Sequence, residues 1–212
     1  MAHGMAMSGY ASGSEAYERG RPGYPAALTD QLLDVLDVGD GDRVLDVGAV
    51  AEALPLATAS IDAALCAQTF HWLDGERALD ELSRVLRPGG GLGLIWNTKD
   101  TAVAWVAEVE GLVDRIHGPT GTPRYKTGRW HDAFGAGSGW ERLSTASGTQ
   151  EHGTDRDQVV DRVLSSSAVA ALDSAGQARV ADEVRQILDR HALRGRFGFP
   201  YLTEIWWTRP AT

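Results

Sequence analysis

A histidine among aromatic residues is the first candidate for chemistry in this sequence. The apolar run Ile61–Gln68 predicts a strand, and Thr69-Phe70-His71-Trp72 follows it before a predicted helix. The unperturbed pKa of an imidazole lets His71 accept a proton near neutral pH, as a general base must. An aromatic triplet can instead pack at the start of a helix, and we favour packing or orientation over base catalysis for His71.

A second candidate lies where a strand opens onto a turn. Arg43–Gly48 predicts a buried strand ending in a glycine, after which a helix N-terminus would present free N–H groups to a ligand. A lone glycine after a strand more often only makes a turn. Gly89–Gly91 precede a third predicted strand, Leu92–Asn97, so they predict a turn and not a phosphate cradle. Asn97 would then line the same edge or simply end the strand.

Short apolar strands joined through helical segments are typical of an α/β sheet. The other predicted elements are helices after Pro25, after Asp74 and over Ala102–Ile116, two helices begun by Thr154 with Asp157 and by Ser174 with Gln177, an antiparallel edge strand at Trp140–Glu151, and a last strand at Thr203–Thr208. Val50–Leu54 could make one or two helical turns before Pro55.

Two charged segments are expected to be solvated. Glu81 and Arg84 fall on the polar face of the helix after Asp74. His117–Arg129 predicts a basic loop, for which closure over an anionic acceptor is the alternative.

Six motifs follow one another along the chain, namely Tyr17–Pro25, Val44–Gly48, Ala53–Leu56, Ile61–Asp62, Gln68–Trp72 and Leu86–Gly90. In this order they resemble the motifs of class I S-adenosylmethionine-dependent methyltransferases, in the small-molecule, type 11-like branch. The resemblance implies an α/β fold with a Rossmann-like, mostly parallel sheet, helices on both faces and antiparallel C-terminal strands. It implies one domain, with an N-terminal lid segment at 1–24, a truncated Rossmann core at 25–99, and C-terminal helices and closing strands at 100–212.

The resemblance also assigns roles. It implies S-adenosylmethionine as cofactor and a small-molecule substrate, with His71 as the catalytic candidate. The cofactor-binding residues would be Arg21, Asp46, Gly48, Glu52, Ala53 and Gln68, and the substrate-binding residues Tyr17, Phe70, Trp72 and Asn97. The planar fork of an arginine suits a carboxylate, although a turn packed by tyrosines is the interpretation we favour for Arg21. No metal is expected, because no Cys or His cluster has metal-ligand spacing.

One departure from the family limits what carries over. In the family a Gly-x-Gly loop, a helix, a second strand whose acid holds the ribose hydroxyls, and a further helix and strand come before the Ala-Leu-Pro motif. Here Gly48 is followed almost at once by Ala51–Pro55, and one strand-helix-strand unit needs about 30 residues. The sequence therefore predicts that the second and third family strands are missing. S-adenosylmethionine would then bind weakly or not at all, and the first strand would lie at the sheet edge.

Composition excludes some classes of function. The formal net charge of -9 argues against a nucleic-acid partner, which requires a basic surface. The longest apolar runs are too short to span a membrane, and Cys66 is the only cysteine, so we expect a cytoplasmic protein.

Two functions remain open. One is methyl transfer to a small organic acceptor, and the other is an inactive remnant that binds a partner or forms a homodimer through the exposed sheet edge. The missing unit could also have been lost from this copy of the coding sequence.

Overall fold

The computed structural model describes residues 22–48, 51–118 and 125–211. The predicted roles of Tyr17 and Arg21 therefore lie outside the described residues.

Five strands and six α-helices form the described chain. The strands are β1 Val44–Asp46, β2 Ile61–Ala67, β3 Leu86–Lys99, β4 Ser144–Asp155 and β5 Arg196–Thr208. The helices are α1 Ala26–Val35, α2 Gly75–Val85, α3 Ala104–His117, α4 Arg156–Leu164, α5 Ser167–Ala170 and α6 Ser174–Arg190. Short 3-10 helices cover Phe70–Trp72, Tyr125–Thr127 and Arg129–Phe134.

The strands form one sheet in the order β1-β2-β3-β5-β4. The β1–β2 and β2–β3 pairs are parallel, whereas β5 runs antiparallel to both of its neighbours. This arrangement confirms the predicted α/β fold with a mostly parallel sheet and an antiparallel strand from the C-terminal part. It also places β1 at an edge of the sheet, as predicted.

Alternation along β3 explains why helices cover both faces. Leu92 and Leu94 lie on one face and join Leu79 and Leu82 of α2 in one apolar cluster. Ile95 lies on the other face with Leu28 and Leu32 of α1. Because successive side chains of a strand point to opposite faces, this central strand contributes to two cores at once.

A second helical layer packs on the extended β4–β5 pair. Phe199 and Tyr201 of β5 join the apolar residues of α3, α4 and α6 in a separate core. The 14-residue helix α3 begins shortly after the end of β3 and contributes to this core.

Four local expectations were wrong. β1 is not buried, and Val44 is 40% exposed because only one neighbouring strand pairs with it. Gly89–Gly91 lie inside β3, where they form an irregularity opposite β2 instead of a turn. Val50 lies outside the described residues, and residues 51–54 contain bends at Glu52 and Ala53 and no helical turn. The helix caps are Asp155 and Asp173, one residue away from the predicted Thr154 and Ser174.

Substituting two glycines by alanine should have opposite effects on stability. A Cβ at Gly90 would lie 2.7 Å from the backbone oxygen of Asp62, so Gly90→Ala should lower the free energy of unfolding by about 1–3 kcal/mol. At Gly111, inside α3, the nearest atom is an arginine nitrogen at 3.9 Å, so Gly111→Ala should add about 0.5–1 kcal/mol. Urea unfolding of both variants measures this, and equal effects would contradict the described packing around β3.

Candidate functional site

The parallel pairing of β1, β2 and β3 brings three predicted site residues to one edge of the sheet. Asp46 is level with Leu65, and the Val47 N–H donates to the Leu65 carbonyl at 2.7 Å. The Gln68 N–H donates to the Ile95 carbonyl at 2.9 Å. Asp46, Gly48 and Gln68 therefore lie at the carboxyl ends of neighbouring strands, where open α/β sheets bind ligands.

Gln68 has a backbone conformation that is uncommon for a residue with a side chain. Its φ is 58°, in the left-handed region, and its Nε2 donates to the Asn97 carbonyl at 3.1 Å. Outliers of this kind cluster at functional sites when the surrounding structure holds them in place. The contact ties the end of β2 to the end of β3.

The Asn97 side chain anchors the beginning of the described chain. Its Nδ2 donates to the carbonyls of Pro22 and Gly23 at 3.2 and 3.1 Å, and its Oδ1 accepts from Thr203 and Gln150. Both halves of the amide are thus engaged within the protein. The geometry gives Asn97 a role in placing the end of the predicted lid segment over the sheet, while its contact with substrate stays a prediction.

The connection between β1 and β2 is held down on α2. The Glu52 carboxylate accepts from the Asp74 N–H at 3.2 Å, and Ala51 is fully buried beside Val47, whereas Ala53 is exposed. The polar face of α2, which we expected to be solvated, also binds this connection. Arg84 donates to the carbonyls of Leu54 and Leu56, and Glu81 accepts from the Leu54 N–H at 2.8 Å.

The Glu81–Arg84 pair is therefore a clamp that the sequence did not reveal. Hydrogen bonds from Arg84 and the Leu54 N–H lower the pKa of Glu81 to about 2. Glu81 stays ionised at neutral pH and keeps both contacts.

His71 is neutral and hydrogen-bonded. The Trp96 indole N–H donates to its Nδ1 at 3.2 Å, and burial lowers the pKa of His71 from 6.5 to about 4. Because an indole nitrogen can only donate, Nδ1 must accept and the proton lies on Nε2. This arrangement favours orientation over base catalysis, since a base with such a low pKa is weak at neutral pH.

Phe70 and Trp72 lie on either side of His71 and differ in exposure. Phe70 is 1% exposed and packs against Phe134 at 5.2 Å between ring centroids. Trp72 is 40% exposed and lies 5.1 Å from the His71 ring. Of the two, Trp72 is thus the ring available to contact a ligand.

The residues Tyr125–Phe134 form an aromatic cap over the end of β3. Tyr125 stacks on Trp96 with 4.5 Å between ring centroids, and Trp130 lies 4.6 Å from the same ring. The Tyr125 hydroxyl donates to Glu204 at 2.8 Å. This cap falls within and just after the segment expected to be a solvated loop. The feature of the sequence that could have indicated this cap is the spacing of the aromatic residues Tyr125, Trp130 and Phe134.

A cavity of about 520 Å³ lies beneath the aromatic cap, beyond the end of β3. Its lining combines the turn after β3, the aromatic cap and β5, and includes Lys99, Tyr125, Lys126, Trp130, His131 and Glu204. Gln68 adjoins Asn97, one residue before the cavity wall at Thr98. The cavity therefore lies beside the edge that carries Asp46, Gly48 and Gln68.

The cysteine near this edge is unreactive. Burial raises the pKa of the Cys66 thiol to about 12, which keeps it protonated and unreactive. Over the described ranges no group of His, Cys, Asp and Glu side chains is arranged to hold a metal ion. None of the described helices is long and apolar enough to cross a membrane.

Comparisons with known proteins agree on one family. A family model described as a methyltransferase domain matches residues 32–94. An uncharacterized methyltransferase of Mycobacterium bovis is 34% identical to this chain in an alignment 244 residues long, and this alignment covers 94% of each chain. An uncharacterized methyltransferase-like protein of Schizosaccharomyces pombe is 30% identical over 169 residues, covering 60% of this chain and 65% of its own.

Two solved structures share the fold. A type II methyltransferase candidate from Anaeromyxobacter dehalogenans has a TM-score of 0.57 and 22% identity, covering 90% of this chain and 97% of its own. A methyltransferase candidate from an antibiotic biosynthesis pathway of Anabaena variabilis has a TM-score of 0.52 and 13% identity, covering 84% of this chain and 96% of its own.

The buried neutral His71 should make stability depend on pH. Between pH 6.5 and about 4 the unfolded chain protonates this histidine and the folded chain does not, so the free energy of unfolding should fall as pH decreases. His71→Asn keeps an acceptor for the Trp96 indole and does not titrate, so its decrease should be smaller. Urea unfolding at several pH values measures the difference. Parallel pH curves for the two proteins would mean that His71 titrates normally.

Proposed function

This chain belongs to the class I S-adenosylmethionine-dependent methyltransferases, and from that premise we propose that it transfers a methyl group to a small organic acceptor. The observation that carries the proposal is the shared strand-end edge of Asp46, Gly48 and Gln68 beside the cavity under the aromatic cap. Donor and acceptor sites must adjoin, because methyl transfer requires the two reactants in line at near-attack distance.

The donor is proposed to lie at the ends of β1 and β2. Gly48 has open space where a Cβ would be, so a ligand can approach its backbone closely. Asp46 is exposed at the same place and offers a carboxylate to the amino group of the donor. The proposed donor site also includes two residues of the β1–β2 connection, Glu52 and Ala53. Gln68, at the end of β2, is its last member. Arg21 would reach the carboxylate end of the donor.

The acceptor is proposed to occupy the cavity on the β3 side. Phe70 supports the wall from below, and Trp72 and the lid residue Tyr17 would contact the acceptor from outside. His71 would act as a neutral donor through Nε2 and orient a polar group of the acceptor, since its other nitrogen is engaged with Trp96. Positioning of this kind can supply most of the acceleration in methyl transfer. A net charge of -9 supports a small molecule and not a nucleic acid as the partner.

The donor site is proposed to be truncated. β1 is the edge strand, and the alignment with the mycobacterial relative runs over 244 residues although this chain has 212. The relative thus has residues with no counterpart here, which supports a lost segment, and the exposed edge of β1 is the reason we place the loss after this strand. Each lost hydrogen bond to the donor would cost about 0.5–1.5 kcal/mol, so we propose that S-adenosylmethionine binds weakly.

A second candidate is an inactive methyltransferase-like protein that dimerises. The exposed edge of β1, with Val44 40% exposed, supports it, because an unpaired strand edge can pair with a second copy of itself.

Calorimetric titration with S-adenosylmethionine tests the main proposal. The wild-type protein should show saturable heat, and Asp46→Asn should bind about tenfold more weakly, because it loses a charge-assisted hydrogen bond. Asp30→Asn makes the same charge change on the exposed side of α1 and should bind as the wild type does. No saturable heat at about millimolar donor would count against activity.

Analytical ultracentrifugation tests the second candidate. If β1 forms the interface, the wild type should sediment as a dimer, and Val44→Lys should shift it to monomer because a charge on the edge blocks strand pairing. Thr29→Lys, on the partly exposed side of α1, is the control. A monomeric wild type at all concentrations removes this candidate.

A further inference from the structure

Glu204 places a carboxylate in the cavity wall and forms no ion pair with any residue that the structure describes. Its Oε2 accepts from the Tyr125 hydroxyl at 2.8 Å, and no ion pair of the described chain includes this carboxylate. The residue is half-buried and lines the cavity. A carboxylate in a partly dehydrated position is stabilised by a cationic hydrogen-bond donor, and residues 22–48, 51–118 and 125–211 do not supply one here.

Aromatic residues line the same cavity as this carboxylate. Tyr125 and Trp130 line the same cavity, and the Trp206 indole N–H donates to the Tyr125 hydroxyl at 3.3 Å. His131 also lines it, but burial outweighs the nearby carboxylates of Glu204 and Asp132 and lowers the pKa of His131, so it stays neutral at neutral pH. A carboxylate in an aromatic-lined cavity suits an organic ammonium group, because the carboxylate offsets its charge and the rings contact its carbon atoms.

The cavity wall also carries two ammonium groups. Lys99 and Lys126 both contact the carboxylate of Glu110, which is 7% exposed and lies behind them. Two ammonium groups thus share one carboxylate, and because each has three N–H donors, this contact does not use them all. Asp100, also in the wall, directs its Oδ1 to the Ala102 N–H at 3.0 Å. The sequence contains only two lysines among its 20 lysine and arginine residues, and both line this cavity.

We propose that the acceptor in this cavity is a small zwitterion of the amino-acid type, with its ammonium group at Glu204 and its carboxylate at Lys99 and Lys126. That this ligand is a methyl acceptor rests on the proposed function, whereas its chemical class is argued from the cavity alone. An apolar or aromatic side chain of the ligand would lie against Tyr125 and Trp130. A volume of about 520 Å³ accommodates a molecule of this size.

Three probes with one ring and different charges test the ligand class. L-phenylalanine has both charges, phenethylamine only the positive one and phenylacetate only the negative one. Binding is measured by calorimetry, with tryptophan fluorescence as a second readout. L-phenylalanine should bind at least about tenfold more tightly than either of the others, because each charged contact adds affinity.

Two variants test the two charged contacts separately. Glu204→Gln keeps an acceptor for the Tyr125 hydroxyl and removes the charge, so it should weaken L-phenylalanine and phenethylamine by about tenfold or more and leave phenylacetate unchanged. Lys126→Met should weaken L-phenylalanine and phenylacetate and leave phenethylamine unchanged. Glu141→Gln, an exposed site away from the cavity lining, is the control for charge.

The outcomes are separable. If phenylacetate or phenethylamine binds as tightly as L-phenylalanine, or if no probe binds, the zwitterion proposal is overturned. If S-adenosylmethionine binds the same preparation while no probe does, only the ligand class fails. If the probes bind with the expected charge pattern and S-adenosylmethionine does not, the ligand class stands and methyl transfer fails.

Discussion

The parallel register of β1, β2 and β3 is the constraint on which the candidate site depends. Only a few backbone contacts set it at β1, among them the Val47 N–H on the Leu65 carbonyl. Because parallel strands end at the same edge, this register places Asp46 and Gly48 next to Gln68, and Gln68 next to Asn97. A slip by one residue would turn every side chain of the three-residue strand β1 to the other face. The clamp of Glu81 and Arg84 on the β1–β2 connection opposes such a slip, since it fixes Leu54 and Leu56 to α2.

Trp96 links this edge to the cavity. Its ring, fully buried, is covered by Tyr125 and Trp130 of the aromatic cap, and its indole N–H holds His71. One tryptophan therefore positions both the cap above the cavity and the histidine beside it. The consequence for mechanism is that His71 is fixed as a neutral donor. Acceleration would then come from placing the acceptor and the donor together, which is the main demand of methyl transfer.

Local patterns predicted most of the fold, and long-range contacts decided what they missed. The apolar spacing of β2 and α2 and the ordered motifs were enough for the sheet, its edge strand and the strand ends at which Asp46, Gly48 and Gln68 meet. The buried state expected for β1 was wrong because burial depends on a neighbouring strand and not on the apolar character of Val44. The roles of Glu81 and Arg84 were missed because helical spacing shows which face is polar but not which loop lies against it. Tyr125 and Glu204 are 79 residues apart in sequence, so no local pattern could pair them.

The most direct measurement of the central claim is a titration of the isotope-labelled protein with S-adenosylhomocysteine, followed by backbone amide signals in NMR spectra. The account predicts saturable shifts at Gly48, Gln68 and the residues next to them, with much smaller changes at the opposite ends of β1 and β2. Shifts confined to those opposite ends, or none at saturating ligand, would contradict a methyl-donor site at the carboxyl edge of the sheet.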